Sequence, residues 1–222
     1  MAKKALYSFL CSILGGAAIG IGGTAYLSIE NTVVGALFFS IGLFVICTFG
    51  MNLFTGKVCY IFDNKPSYAA FCLSVWLGNL IGAALVGGAV RLTRISVISE
   101  RASTIVATKL NDTLLSVFIL AIFCNIMIYI AAEGFKKNPH VLGKYLGIIL
   151  CIVVFILSGF EHSIANMYYL TVAGAWSGKA LLYIVVISLG NSVGGVIFPL
   201  VNKLKEPERA AIEEKEPAAA AK

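Results

Sequence analysis

The sequence predicts an all-α integral membrane protein with six transmembrane helices, of which the second and the fifth are broken at mid-membrane. Of the 222 residues, 59% are hydrophobic and 13% are charged, and the mean hydropathy is +0.91. Soluble domains carry about a quarter charged residues, so this composition excludes that class. Six apolar runs, each near or above the roughly 20 residues that cross a bilayer, lead to the same prediction.

The six predicted spans are separated by short polar turns and by one longer polar segment. They cover roughly residues 5–28, 33–62, 66–92, 113–132, 145–175 and 180–200. The segment 91–112 is rich in serine and threonine, and we expect an extramembrane connection there. Residues 1–204 are predicted to form the transmembrane domain, and residues 205–222 a solvated tail.

Positive charges outside the spans predict the orientation. The side that holds both termini collects more of them than the other side: Lys3, Lys4, Lys65, Lys136, Lys137, Lys144, Lys203 and Lys205 against Arg91, Arg94, Arg101, Lys109 and Lys179. The positive-inside rule therefore predicts cytoplasmic termini in the inner (plasma) membrane. Because these flanking residues account for much of the net charge of +6, that charge predicts no nucleic-acid partner.

No cofactor or metal site is predicted. The six cysteines stand singly in apolar segments without a C-x-x-C spacing, which is typical of small core residues rather than of metal ligands or disulfides. The sequence contains no glycine-rich phosphate loop that would indicate a nucleotide-binding site. The histidine at position 140 follows Asn138 and Pro139 and is expected at the surface.

The fifth span is interrupted by Ser-Gly-Phe-Glu-His-Ser-Ile-Ala-Asn-Met, residues 158–167. This places Glu161, His162 and Asn166 near the middle of the membrane. An ionisable group there costs at least about 2.5–3.5 kcal/mol, so the cluster must lie within protein or beside a wet cavity. Such a cluster serves either to hold helices together or to form a transport site.

The second span is interrupted in the same way by residues 49–57, Phe-Gly-Met-Asn-Leu-Phe-Thr-Gly-Lys. The third and sixth spans then repeat Leu-Gly-Asn-x-x-Gly around Asn79 and Asn191. Since each half has three spans, the second half must be inverted, and paired broken helices in an inverted repeat indicate a substrate site at the midplane. With Thr55 or Ser163 as N-cap, unpaired N–H groups would point at that site. Alternatively, the two kinks serve packing alone.

Residues 159–167, together with Asn-Leu-Phe-Thr-Gly at 52–56, resemble the formate/nitrite transporter family, and most closely its hydrosulfide-channel branch. The resemblance implies a homopentamer of six-helix protomers with an aquaporin-like architecture and a pore in each protomer. It implies that His162 is the central pore histidine and Thr55 the polar residue opposite. It also places Leu53 and Phe54 at a cytoplasmic constriction.

The same resemblance implies a supporting polar network of Lys109, Asn125 and Glu161, which draws anions from outside. We group the two repeated asparagines, Asn79 and Asn191, with this network, and Asn166 with the pore residues. Lys57 departs from the family, where many members have asparagine after the Thr-Gly pair. It either attracts anions or only extends its ammonium group to the membrane surface.

The predicted substrate is a small monovalent anion, hydrosulfide foremost and formate or nitrite next, passing by a passive or a proton-coupled route. A histidine can share a proton with an arriving anion, because its charge changes near physiological pH. The alternatives are a formate/nitrite proton symporter and a neutral-solute channel. No enzyme is predicted, since no H-E-x-x-H spacing or second carboxylate completes a catalytic set around Glu161 and His162.

Overall fold

The computed structural model describes the backbone of residues 2–213 and the side chains of residues 3–204, and every regular element in this part is helical. The α-helices are α1 Ala2–Ser28, α2 Thr32–Phe39, α3 Ile41–Phe49, α4 Phe54–Lys57, α5 Tyr68–Arg91, α6 Ser96–Leu110, α7 Leu114–Lys137, α8 Val141–Leu157, α9 Ser163–Ala173 and α10 Gly178–Glu213. Of the predicted tail, residues 205–213 continue α10, and residues 214–222 lie outside the described part.

Five helical segments are long and apolar enough to cross a bilayer: Lys3–Ser28, Thr32–Phe49, Tyr68–Arg91, Leu114–Lys137 and Gly178–Leu204. The remaining predicted span is divided between α8 and α9, which have 17 and 11 residues and are individually too short. The chain is therefore a multipass membrane protein. Its six cysteines are unpaired, and His140 is exposed, as predicted.

Both predicted breaks are present, and they share one backbone geometry. Gly50 ends α3 with φ 66°, and Gly159 follows α8 with φ 68°. The amide of the next residue, Met51 or Phe160, donates across five positions to the helix it leaves, at 3.0 Å in both cases. A side chain would cost about 1–2 kcal/mol in this left-handed conformation, so glycine suits both positions.

The half-helix after the first break is shorter than predicted. Helix α4 has four residues, and a 3₁₀ turn, Val58–Asp63, follows it. Tyr60 leaves helical geometry inside that turn, with φ −104° and ψ 17°. The halves therefore differ, because α9 continues for 11 residues after its break.

The connection between the third and fourth spans is a helix rather than an irregular segment. In α6, Ile98, Ala102 and Val106 are buried at a spacing of four residues, and this face packs against α9. Serine and threonine between these positions mask the apolar period in the sequence. The fourth span, predicted to end at residue 132, is also longer than predicted, since α7 continues to Lys137 and Glu133 is buried on it.

Glycines allow two pairs of helices to approach closely, α5 against α1 and α10 against α7. A Cβ atom on Gly82 would overlap the Ile13 carbonyl oxygen, and one on Gly194 would overlap that of Ile122. Small residues at such crossings bring backbones together where lipid offers no hydrophobic driving force.

We expect Gly82→Ala to lower the thermal midpoint of the purified protein in detergent, because overpacking costs about 1–3 kcal/mol. Gly88→Ala on the same helix is the control, since a Cβ there meets no atom within 4 Å. Size-exclusion thermostability of the two variants is the measurement. Equal midpoints would show that the contact between α1 and α5 tolerates a methyl group.

Candidate pore site

Asn79 on α5 holds the first break. Its Oδ1 accepts the backbone N–H of Phe54 at 2.8 Å. Its Nδ2 donates to the carbonyl oxygens of Ser12 at 2.6 Å and Asn52 at 2.9 Å. The side chain is completely buried. One amide therefore pairs the Phe54 N–H and the Asn52 carbonyl, which lie at the break, and ties them to the Ser12 carbonyl inside α1.

Asn191 on α10 holds the second break with the same contacts. Its Oδ1 accepts the N–H of Ser163 at 3.0 Å, and its Nδ2 donates to the carbonyl oxygens of Ala121 and Glu161, both at 2.8 Å. Only an amide offers one acceptor and two donors in so small a group. Because lipid cannot pair such backbone groups, the chain can leave helical geometry at this depth only beside a partner of this kind.

The predicted caps, Thr55 and Ser163, were one or two positions too late. The N-cap residues are Leu53, which makes no side-chain cap bond, and His162, whose ring caps α9. The Ser163 hydroxyl is buried without a partner in the described structure. The prediction of unpaired N–H groups is also wrong for Ser163 and Phe54, because Asn191 and Asn79 accept hydrogen bonds from these two groups.

The cap bond fixes the tautomer of His162. Its Nδ1 lies 3.1 Å from the backbone nitrogen of Ala165, which can only donate, so Nδ1 carries no proton. The neutral ring then has its proton on Nε2, which lies 3.1 Å from Thr55 Oγ1 and donates to it. Phe155 stacks on the imidazole with ring centroids 6.0 Å apart. The imidazolium form would lose the cap.

Thr55 faces His162 with a hydroxyl proton that no described protein acceptor takes. Its Oγ1 already accepts from the ring, and its backbone carbonyl is held by Asn125 Nδ2 at 3.0 Å and Cys59 Sγ at 3.1 Å. Hydrogen bonds in a chain polarise one another, so the imidazole strengthens this hydroxyl as a donor. The pair thus offers a neutral donor at the centre of the molecule.

The predicted polar network divides into two. Glu161 Oε2 accepts from Lys109 Nζ at 2.7 Å and from Asn166 Nδ2 at 2.5 Å. Asn125 does not join it, since its Nδ2 donates to the carbonyls of Thr55 and Asn191. In the first group, Lys109 neutralises the buried carboxylate of Glu161. In the second, Asn125 fixes the backbone carbonyl of Thr55.

Two cavities lie at opposite ends of the protomer, on either side of this centre. The His162 cavity, about 350 Å³, is lined among others by His162, Ala165, Asn166 and Tyr169, which form one face of α9. The Leu53 cavity, about 130 Å³, is lined by residues at the same spacing after the first break: Leu53, Gly56, Lys57 and Tyr60. The former opens beside α6, and the latter near the end of α7.

The cavities differ in charge. Lys57 and Lys136 line the Leu53 cavity, and Lys136 is paired with Glu133 at 2.8 Å. Lys57 has no carboxylate within 4 Å in the described structure and is partly buried. The Leu53 cavity therefore carries an uncompensated cation, whereas the lysine of the His162 cavity is neutralised.

The structure also separates Leu53 from Phe54. Leu53 lines the Leu53 cavity, but Phe54 lines an apolar groove between α5 and α10, away from both cavities. Sequence reasoning missed Phe155, Tyr60 and Tyr169. The spacing of seven residues from Leu53 to Tyr60 and from His162 to Tyr169 is the signal that could have found the tyrosines.

Residues 1–203 match the sequence profile of the family described as Formate/nitrite transporter. A probable formate transporter of Methanothermobacter thermautotrophicus is 30% identical over 197 residues, 75% of this chain and 71% of that protein. The nitrite transporter NirC of Salmonella typhimurium is 27% identical over an alignment of 258 positions, which covers 95% of this chain and 92% of that protein.

The fold is shared with solved channel structures. A pentameric formate channel with formate bound superposes with a TM-score of 0.77 at 25% identity, covering 91% of this chain and 97% of that chain. An ion channel described as a member of the FNT family superposes with a TM-score of 0.78 at 24% identity, covering 89% and 88%.

We expect Asn191→Ala to destabilise the protein strongly, because it leaves the Ser163 N–H and the Glu161 carbonyl without a partner, at about 1–3 kcal/mol each, and removes the link to Ala121 on α7. The exposed Asn111 makes no side-chain hydrogen bond in the described structure, so Asn111→Ala is the control. Thermal midpoints in detergent compare the two. If Asn191→Ala and the control had equal thermal midpoints, the stabilising role assigned to the Asn191 side chain would be incorrect.

Proposed function

Because this chain belongs to the formate/nitrite transporter family, we propose that it conducts small monovalent anions through a pore in each protomer, between the His162 cavity and the Leu53 cavity. The observation that carries this proposal is the buried pair of His162 and Thr55, which stands between two cavities and offers a donor. A dehydrating anion needs such a donor, because it loses its water shell in a narrow apolar passage.

The central pair acts as a hydrogen-bond donor rather than as a proton donor. A neutral imidazole cannot release its Nε2 proton to an anion, and a charged one requires a proton on Nδ1, where the Ala165 N–H points. The Thr55 hydroxyl, polarised by the ring, instead replaces a water molecule of the passing anion. This favours a passive channel over proton symport.

Formate, nitrite and hydrosulfide all fit a single hydroxyl donor. Hydrosulfide is the first substrate to test, because residues 159–167 resemble the hydrosulfide-channel branch. Formate and nitrite come next, because the relatives named above are described as transporters of these anions. A neutral-solute channel would have no use for the uncompensated cation of Lys57 beside the Leu53 cavity.

The protomers form a homopentamer whose termini are cytoplasmic, in an inner (plasma) membrane. Exposed Leu6, Leu10 and Leu14 give α1 an apolar stripe that lipid or a neighbouring protomer can cover, and a structural neighbour is pentameric. The matching contacts of Asn79 and Asn191 support an inverted 3+3 repeat. With this orientation, the Leu53 cavity is the cytoplasmic mouth, and its cation attracts anions from the cell.

Flux into proteoliposomes tests the function directly. Hydrosulfide, formate and nitrite should enter faster than into protein-free vesicles, whereas glycerol, run beside them, should not. Native mass spectrometry of the same sample should find five protomers. Equal acceleration of glycerol would favour the neutral-solute channel, and acceleration of no solute would refute transport.

We expect His162→Phe to reduce anion flux about tenfold, because it removes the donor to Thr55 while filling the volume with an apolar ring. The exposed histidine gives the control variant His140→Phe. Stopped-flow flux and the pentamer fraction of each variant are the measurements. A folded His162→Phe pentamer with wild-type flux would exclude the pair from the pore.

His162→Asn separates hydrogen bonding from proton transfer, since asparagine caps a helix and donates but does not titrate. We expect the flux of this variant to follow the same pH profile as the wild type from pH 5 to 8, because the substrate's own titration is common to both. A step in the wild-type profile that His162→Asn lacks would establish proton transfer instead.

Lys57→Gln should lower flux out of the cytoplasmic mouth. A cation about 4 Å from an anion in water contributes about 1 kcal/mol, so we expect about a fivefold loss at low salt. Salt at 1 M should remove the difference, because the Debye length is then about 3 Å. Lys65→Gln, at an exposed lysine on the same side, is the control. A loss that persists at 1 M salt would indicate a packing role for Lys57.

A further inference from the structure

Tyr169 carries a buried hydroxyl that the pore mechanism does not use. Its side chain is 4% exposed, and its Oη has no hydrogen-bond partner in the described structure. It lines the His162 cavity from the same face of α9 as His162 and Asn166. Buried polar groups are nearly always paired, so an unpaired hydroxyl on a residue that lines a cavity leaves one hydrogen bond for a water molecule or a ligand to make.

Tyr60 shows that the fold can pair a hydroxyl at this position. It stands seven residues after Leu53, as Tyr169 stands seven after His162. Its hydroxyl donates to Glu133 Oε1 and accepts from Lys136 Nζ. The missing partner of Tyr169 therefore distinguishes the His162 cavity from the Leu53 cavity, where the protein itself supplies the acceptor.

The His162 cavity has N–H donors to spare, and two oxygens of its lining residues, Glu161 Oε1 and Asn166 Oδ1, accept no hydrogen bond in the described structure. Lys109 and Asn166 each give one N–H to Glu161 Oε2 and keep others, whereas that oxygen already accepts twice. The second carboxylate of the cavity, Asp112, accepts from the Ser116 hydroxyl at 2.5 Å and from a backbone N–H at 2.7 Å. A partner for Tyr169 must accept a hydrogen bond, and a small anion can also accept from the spare N–H groups of Lys109 and Asn166.

We propose that Tyr169 donates its hydroxyl proton to the permeating anion, and that Tyr169 and Asn166 form a subsite in the His162 cavity, one step before the Thr55 hydroxyl. This inference rests on the proposed function. The ligand is a small monovalent anion with an oxygen or sulfur acceptor. Two donors in succession on α9 let the anion exchange water for protein in stages.

The test replaces Tyr169 by phenylalanine, with Tyr60→Phe as the matched control. Tyr169→Phe should raise the half-saturating anion concentration for flux about three- to tenfold, which is the weight of one neutral hydrogen bond. Without anion, its thermal midpoint should equal or exceed that of the wild type, because no protein contact is lost. Tyr60→Phe should instead melt earlier, since Glu133 and Lys136 lose their shared partner.

Formate at increasing concentration, added to purified pentamer, gives a second readout that needs no transport. Formate should raise the thermal midpoint of the wild type and of Tyr60→Phe, and Tyr169→Phe should need a higher concentration for the same rise. Unchanged half-saturation and an unchanged formate shift in Tyr169→Phe would overturn the proposal and leave the hydroxyl to a water molecule. Absence of flux in the wild type would refute the proposed function, and the formate shift would still decide the role of Tyr169.

Discussion

A backbone that leaves helical geometry inside a bilayer must have its N–H and carbonyl groups paired by protein, because lipid offers no partner. In this protein, two asparagine amides meet that requirement. Asn79 and Asn191 each pair one N–H and one carbonyl at a break and bind a second carbonyl inside a neighbouring helix, with the same atoms in the same roles. With the breaks stabilised, Thr55 and His162 can meet at the centre of the molecule.

The positions of the two central side chains, Thr55 and His162, follow from these hydrogen bonds at the breaks. Asn191 fixes Ser163, the first residue of α9, so that His162 becomes the cap and its Nδ1 is occupied by the first turn. Asn125 fixes the Thr55 carbonyl from below. Each group near the pore thus has its hydrogen-bonding role set by a neighbour. The Thr55 hydroxyl proton has no acceptor in the described structure, and the proposed function assigns it to the anion.

Charge is arranged along the same path. Lys109 is neutralised by Glu161 beside the His162 cavity, whereas Lys57 stands without a carboxylate beside the Leu53 cavity. The centre itself has no net charge. Under the proposed function, an anion meets the unpaired cation Lys57 at one cavity, the ion-paired Lys109 at the other and neutral donors between them, which avoids holding it too tightly at the midpoint.

The sequence predicted the positions of the two breaks, because glycine, an ionisable pair and a repeated Leu-Gly-Asn are unusual inside apolar runs. It misplaced the caps, since the start of a helix depends on which residue is extended, and composition does not reveal this. The orientation of Phe54 and the orphan hydroxyl of Tyr169 depend on packing between distant segments. An aromatic residue in an apolar helix gives no sign of either.

The most direct test of this account is the protonation state of His162. The chain has two histidines, so His140→Asn leaves a single imidazole signal. Nitrogen-15 magnetic resonance of histidine-labelled pentamer in lipid, from pH 5 to 8, would then report both ring nitrogens. We expect a neutral ring with the proton on Nε2 throughout this range, with and without formate. An imidazolium signal, or a proton on Nδ1, would contradict the account and restore proton transfer to the anion.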